Sequence, residues 1–331
     1  MILCRIATHR LLAWSPTRGR QVVMAEQAVR VQAGVASEIE LRSEVDGFRL
    51  KGFRWTTAAT PEAVVVLAHG AAEHVGRYER FAQALADQGF ETWAVDHRGH
   101  GRSPGPKGLG DFGSAGWDGL IEDIAQVLRI ARDAHRAHPL VLIGHSMGAF
   151  AAQHVCTRHS QLVDAVVLSG STTFDFPDDV RELPLIDFNA GFAPARTPYD
   201  WLSCDPEEVD KYLADPFCGF EVVPPPFGVD DLRRLSAPEA LANIRPDLPL
   251  LLAAGEQDPL NARLVLLQRL EQKLRDAGVR QIDTRYYQDA RHEILNEVNR
   301  DEVTRDIIDW LKSTLRSNVV RESFIRYAGS R

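Results

Sequence analysis

From about residue 37 onward, short runs of Val, Ile, Leu and Ala alternate with segments whose apolar residues recur at helical spacing. The runs at 37–44 and 48–56 flank Asp46-Gly47 and predict a β-hairpin. Further strands are predicted at 63–68, 92–95, 140–143, 165–168, 248–253 and 282–287. Between them lie predicted helices. The first, 78–88, carries Phe81 and Leu85 and stops at Gly89. The second, 120–134, has Ile121, Ile124, Val127, Leu128 and Ala131 on one stripe. The third, 261–277, opens on Asn261 as N-cap and stops at Gly278. A last helix turns Val303, Ile307, Trp310, Leu311 and Leu315 inward. Strands and helices in alternation predict an α/β fold, a mostly parallel, doubly wound sheet flanked by helices.

One segment breaks the alternation. Residues 171–247 contain no clear strand but hold 11 of the 18 prolines and 10 of the 26 aromatics. So long a structureless loop does not fit a compact domain, and so many aromatics do not fit disorder. The segment is expected to be a helical cap inserted between two consecutive strands, with Ser236-x-x-Glu239 as a capping box near its end. The organisation expected is an N-terminal extension (1–36), core (37–170), cap (171–247), core (248–316) and a C-terminal tail (317–331). Residues 139–157 carry no Asp, Glu, Lys or Arg, but Gly144, His145, Gly148, Gln153 and His154 interrupt them, so a buried strand and packed helix are expected, not a membrane span. The first 25 residues hold Arg5, Arg10, Arg18 and Arg20, no acid and no signal-like apolar core. The expected explanation is a start at Met24; an organelle transit peptide is the alternative.

The chain has 331 residues and a net charge of −8, which disfavours nucleic acid as a partner. The charge is uneven. Residues 171–247 contain 16 Asp+Glu and 6 Lys+Arg, a net −10, so the rest of the chain carries +2. Four scattered cysteines without a CxxC fit free thiols in a reducing, cytoplasmic setting.

The chemistry starts at Gly144-His145-Ser146-Met147-Gly148, a GxSxG pentapeptide between a predicted buried strand and a small-residue helix. Strand, sharp turn and helix lift the Ser146 hydroxyl above the sheet. A serine needs a base, and the base needs an orienting acid, in the chain order Ser, acid, His. His292 is the only one of 11 histidines after residue 159, and it follows a strand. The acid is Asp258 or Glu256, in the loop after 248–253, or Asp175; Asp258 is favoured because it lies deeper in its loop and precedes Pro259. An oxyanion hole needs two N–H donors: Met147 from the elbow, and Ala71 from the loop His69-Gly70-Ala71-Ala72-Glu73-His74. His69, Glu73, His74, Asp96, His97 and His100 resemble metal ligands on paper, but no HExxH occurs and loop hydrogen bonding is expected of them.

These residues together resemble α/β-hydrolases of the monoacylglycerol lipase and lysophospholipase group, also classed with serine aminopeptidase-like hydrolases. HGAAEHVGRY (69–78) is similar to the family's HGxGEHxxRY, DHRGHGRSPG (96–105) and GHSMGA (144–149) to its next two signatures, and VDKYLADPFC (209–218) to a V-x-x-Y-x-x-D-P-L motif of its cap. GEQDP (255–259) and DARHEILNE (289–297) follow in register, so the resemblance spans about 40–315. It implies Ser146, Asp258 and His292 as triad, Ala71 and Met147 as oxyanion donors, and no cofactor or metal. Ala72 departs from the pattern, where the family often has Gly.

The expected function is hydrolysis of neutral acyl esters through an acyl-enzyme, with a small-molecule ester as substrate and transient lipid contact through the cap. Amide or peptide hydrolysis and acyl transfer are alternatives on the same triad. A non-catalytic binding protein is a remote one. The acidity of the cap favours uncharged over anionic head groups.

Overall fold

A computed structural model of the chain describes residues 34–174, 187–222 and 227–328, with side chains to residue 316. Met24, the rest of the N-terminal extension before residue 34, and Asp175 lie outside the described residues.

Eight strands form one sheet in the order β1-β2-β4-β3-β5-β6-β7-β8. They are β1 (Ala36–Arg42), β2 (Arg49–Trp55), β3 (Ala63–Ala68), β4 (Phe90–Val95), β5 (Leu140–His145), β6 (Ala165–Ser169), β7 (Leu250–Gly255) and β8 (Ile282–Tyr287). The hairpin β1–β2 and the β2–β4 pair are antiparallel; every pairing from β4 to β8 is parallel. The helices are α1 (Glu79–Asp87), α2 (Gly116–Ala134), α3 (Met147–His159), α4 (Pro206–Ala214), α5 (Val229–Ser236), α6 (Pro238–Leu241), α7 (Val265–Asp276) and α8 (Arg300–Ala328). The last runs into the segment expected as a tail.

The strands β3 to β7 are buried along their whole length because both faces are covered. Alternate residues divide between two cores. Val64, Val66, Leu140, Leu142, Leu250 and Leu252 pack with α2, α3 and α7. Val65, Leu67, Val141, Ile143, Leu251 and Ala253 pack with α1 and α8, where Val303, Ile307, Trp310, Leu311 and Leu315 are all buried as expected. The strand order reverses between β3 and β5, which puts a crevice beyond their C-terminal ends.

Between β6 and β7 the described residues form only helices and short 3-10 turns. The expected capping box at Ser236 is not formed. Ser236 ends α5, and its hydroxyl bonds instead with the Thr173 hydroxyl (3.1 Å) and the Phe174 N–H (3.1 Å), which ties the two ends of the insertion together. The N-cap role of Asn261 also fails. Residues Ala262, Arg263 and Leu264 all have positive φ, so α7 starts only at Val265. No helix among the described residues is long and apolar enough to cross a membrane; 139–157 is β5 followed by α3.

Candidate active site

Ser146 is the single residue between β5 and α3, with φ 53° and ψ −121°. That is a strained conformation for a residue with a Cβ, and such strain concentrates at functional sites. The flanking glycines make it possible. A Cβ on Gly144 would stand 2.4 Å from the Gly148 carbonyl oxygen, and one on Gly148 would stand 2.2 Å from that of Ala68. The Ser146 N–H donates to the Ser169 carbonyl (2.9 Å), and its own carbonyl accepts from Ala149 (2.8 Å) at the start of α3. His145 and Met147 are buried, whereas Ser146 keeps partial access to solvent.

His292 is brought to the same end of the sheet. Its ring lies 4.7 Å from that of His145, the neighbour of the serine. Its Nδ1–H donates to Asp258 Oδ2 at 3.0 Å, and both side chains are buried. Asp258 is held in turn: Oδ1 accepts from the Leu260 N–H (2.9 Å) and Oδ2 from Asn261 Nδ2 (3.2 Å). Glu256 is half-buried, and its N–H donates to the Tyr287 carbonyl. Asp258 is thus the acid that meets the imidazole, which leaves Nε2 as the acceptor. Burial opposes charge on His292, but the charge and hydrogen bond of Asp258, with Glu293 and Glu73 beyond, outweigh it and raise its pKa above the ordinary imidazole range. In His145, burial and repulsion from His292 and Arg77 push the pKa far down. The two adjacent imidazoles are thus shifted in opposite directions.

The β3–α1 loop passes beside the serine. A Cβ on Gly70 would lie 3.2 Å from Ser146 Cβ, so the chain enters Ala71 from a point of contact with the serine, and Met147 follows Ser146 as the first residue of α3. Ala72, the departure from the family pattern, holds φ 53°, a value that glycine takes without strain. Two donors from the insertion grip its carbonyl: the Tyr212 hydroxyl (2.8 Å) and the Gly219 N–H (2.9 Å).

The residues that resemble metal ligands separate into hydrogen-bonded groups. His69 Nε2 accepts from the His97 N–H (2.9 Å), and His97 Nε2–H donates to the His69 carbonyl (3.1 Å). Burial holds His97 at a pKa of about 3 and His100 at about 4, so both are neutral. Asp96 accepts from the N–H groups of Val75 and Arg102 (2.8 Å each). Ligand atoms of His74, Asp215 and Cys218 lie within 4.8 Å of one another. There, however, His74 Nδ1 accepts from the Gly76 N–H (3.2 Å) and Nε2–H donates to Asp215 (2.8 Å), so the imidazole is committed to tying the loop to the insertion.

The sequence reading missed the parts that hold the site. Asn261 positions Asp258. The insertion's backbone positions His292: the Trp201 and Leu202 carbonyls accept from the N–H groups of His292 (3.4 Å) and Glu293 (2.7 Å), and the Trp201 ring lies 4.9 Å from the imidazole. Glu73, Arg77 and Glu293 form a buried ion-paired group. The only signal for it in the sequence is that Glu73 and Arg77 fall inside HGAAEHVGRY.

Residues 59–299 match the family described as "Serine aminopeptidase, S33". A monoacylglycerol lipase of Mycolicibacterium smegmatis is 31% identical over 286 residues, which cover 82% of this chain and 95% of that protein. A monoglyceride lipase of Rattus norvegicus is 30% identical over 213 residues, covering 62% of this chain and 68% of that one. Among solved structures, a thermostable carboxyl esterase from Bacillus coagulans aligns with a TM-score of 0.77 at 25% identity, covering 86% of this chain and all (100%) of that one. The monoacylglycerol lipase of Paleococcus ferrophilus shares the fold, with a TM-score of 0.60 at 24% identity over 79% of this chain and 97% of its own. The chain belongs to the serine aminopeptidase S33 family of α/β-hydrolases, in its monoacylglycerol-lipase-like group.

Proposed function

We propose that this ester hydrolase works through an acyl-enzyme on Ser146 and takes neutral, monoacylglycerol-like esters. The observation that carries the reading is the buried Asp258–His292 pair beside a serine held at φ 53°. Ser146 Oγ attacks the ester carbonyl as His292 Nε2 takes its proton. Asp258 fixes the ring and stabilises the imidazolium. The N–H groups of Ala71 and Met147 bind the oxyanion. The intermediate collapses, His292 returns the proton to the leaving alcohol, and water then releases the acid by the same steps.

The insertion acts as the cap. Phe188 stacks on Trp201, which walls the base, and Phe174 and Phe227 pack against Phe150 and Trp117 (4.9 Å each). Those last four belong to the core packing, so the apolar face offered to an acyl chain is that of Phe188 and Trp201 beside His292, with each buried methylene contributing about 0.8 kcal/mol. Leu213 and Phe217 of the insertion are exposed and would be first to touch a lipid aggregate. An aminopeptidase would need a free carboxylate for the substrate amine. Among the described residues, the buried carboxylates that act on His292 (Asp258, Glu73 and Glu293) are all committed to His292 or Arg77.

A fluorophosphonate should label wild type and not Ser146→Ala, and wild type should cleave neutral monoacylglycerols faster than aminoacyl-naphthylamides. An anionic lysophospholipid should trail a neutral ester of equal chain length, with the gap closing as salt rises. Labelling that persists in Ser146→Ala, or a preference for the amide, would sink the reading.

A further inference from the structure

We propose that Glu73 and Glu293, joined through Arg77, are positioning residues that lock the loop carrying the Ala71 N–H and the loop carrying His292 into one unit. The inference rests on the roles given above to Ser146, His292 and Ala71.

Glu73 organises its own loop. Its Oε1 accepts from the Gly70 N–H and from the Tyr78 hydroxyl (2.7 Å), and its Oε2 accepts from Arg77 (3.2 Å). The Gly70 contact counts because Gly70 abuts Ser146 and its peptide leads into Ala71. Glu293, the residue after the base, takes Arg77 in a two-pronged pair, with Nη2 to Oε2 at 2.8 Å. Asn296 Nδ2 adds a bond to Oε2 (3.0 Å), and the Glu293 N–H is held by Leu202. The guanidinium also lies 4.8 Å over the Tyr212 ring, so the insertion closes the third side. Arg77 and Glu293, 216 positions apart, are thereby paired with Glu73 on the same cation, and all three side chains are at most 8% exposed.

Two consequences follow. A buried, bidentate arginine permits little relative motion, so oxyanion donor and base keep one spacing without waiting for substrate. The bridge also sets two carboxylates against one guanidinium, and burial, with the Glu293 charge beside it, pushes the Glu73 pKa up despite Arg77. The groups facing the imidazole are Asp258, Glu293, Glu73, His145 and, beyond them, Arg77; the two glutamates act with Asp258 to favour the imidazolium formed during attack. A cavity of about 530 Å³, lined in part by Arg77, Arg80, Glu208 and Lys211, borders the bridge and gives variants room for water.

The test is steady-state ester hydrolysis by Glu73→Gln, Glu293→Gln, the double variant and Arg77→Lys, with melting curves and fluorophosphonate labelling alongside. Glu73→Gln should lower kcat roughly 10- to 100-fold with KM within about twofold, as expected for misplaced transition-state groups. Glu293→Gln should shift the acid limb of kcat/KM to lower pH, because a negative charge near His292 is lost. The double variant should lose less than the product of the singles, since both cut one bridge. Arg77→Lys, which keeps the charge but not the fork, should fall between wild type and Glu73→Gln. Folded Glu73→Gln and Glu293→Gln with wild-type kcat and an unmoved acid limb overturn the proposal. If Glu73→Gln does not fold, Glu293→Gln and Arg77→Lys decide by the same two readouts. Ser146→Ala and His292→Ala separate the layers: if they stay active the site reading itself fails, and if they are dead while the bridge variants match wild type only the bridge fails.

Discussion

The core loops and the insertion use charge in opposite ways. In the loops, single arginines are buried and shared. Arg98, in the second family signature, donates to Asp123 (2.8 Å) and Asp46 (3.0 Å), to the Phe112 carbonyl and to the Ser43 hydroxyl, with its side chain 0% exposed. It pins the 96–113 loop to α2 and to the β1–β2 turn. Arg77 does the same beside the serine. In the insertion, Asp215 and Asp205 are tied to the core by His74 and Arg300, but other pairs are local and have an exposed partner: Arg233 with Asp230 three residues apart, and Arg196 with Asp210. The buried arginines fix where loops go, at a desolvation cost that only full pairing offsets. The surface pairs leave the backbone where packing has put it and contribute little. A count of ion pairs would miss this difference, because buried and surface pairs weigh the same in it.

The contrast can be attacked from several sides. The largest effect belongs to the buried pair at the reacting centre: Asp258→Asn should keep the fold and lower kcat by about 10³- to 10⁴-fold, read by ester hydrolysis. Next comes Arg98→Ala, which strands Asp123 and Asp46 and should cost about 3–5 kcal/mol of stability in urea unfolding. A loss comparable to that of a surface arginine would erase the distinction. A smaller effect is the pH profile. His292 must be neutral to act as base and its pKa is raised, so kcat/KM should fall on acidification with a midpoint above the ~6.5 of a free imidazole. The smallest is Arg196→Ala, expected to move the melting midpoint by less than about 2 °C and to leave kcat unchanged.

Local pattern made the strands and the serine legible. The strands β3 to β7 read as apolar runs because both faces are covered, and Ser146 read as an elbow because Gly144 and Gly148 have no room for side chains. His292 was legible by elimination among the histidines. The start of α7 was not, because Asn261 looks like a cap in sequence while its side chain serves Asp258 and the Leu264 N–H across three left-handed residues. Ser236 misled in the same way: its hydroxyl was taken by residues 62 and 63 positions away. The ionic bridge was invisible for that reason too, since nothing at positions 73 and 77 points to position 293. What the sequence left hidden is what side-chain hydrogen bonds and ion pairs decide, whether across three positions or across the whole chain.

The double grip on the Ala72 carbonyl has a consequence in time as well as in space. The Gly219 amide is satisfied only while the insertion sits on the β3–α1 loop, so its hydrogen can exchange with water only when the two part. Every such parting also releases the residue next to Ala71 from a left-handed conformation that alanine does not favour. The protection of that single amide is therefore a clock for how often the insertion lifts from the loop, read apart from the Arg77 bridge that holds the same loop to the His292 segment.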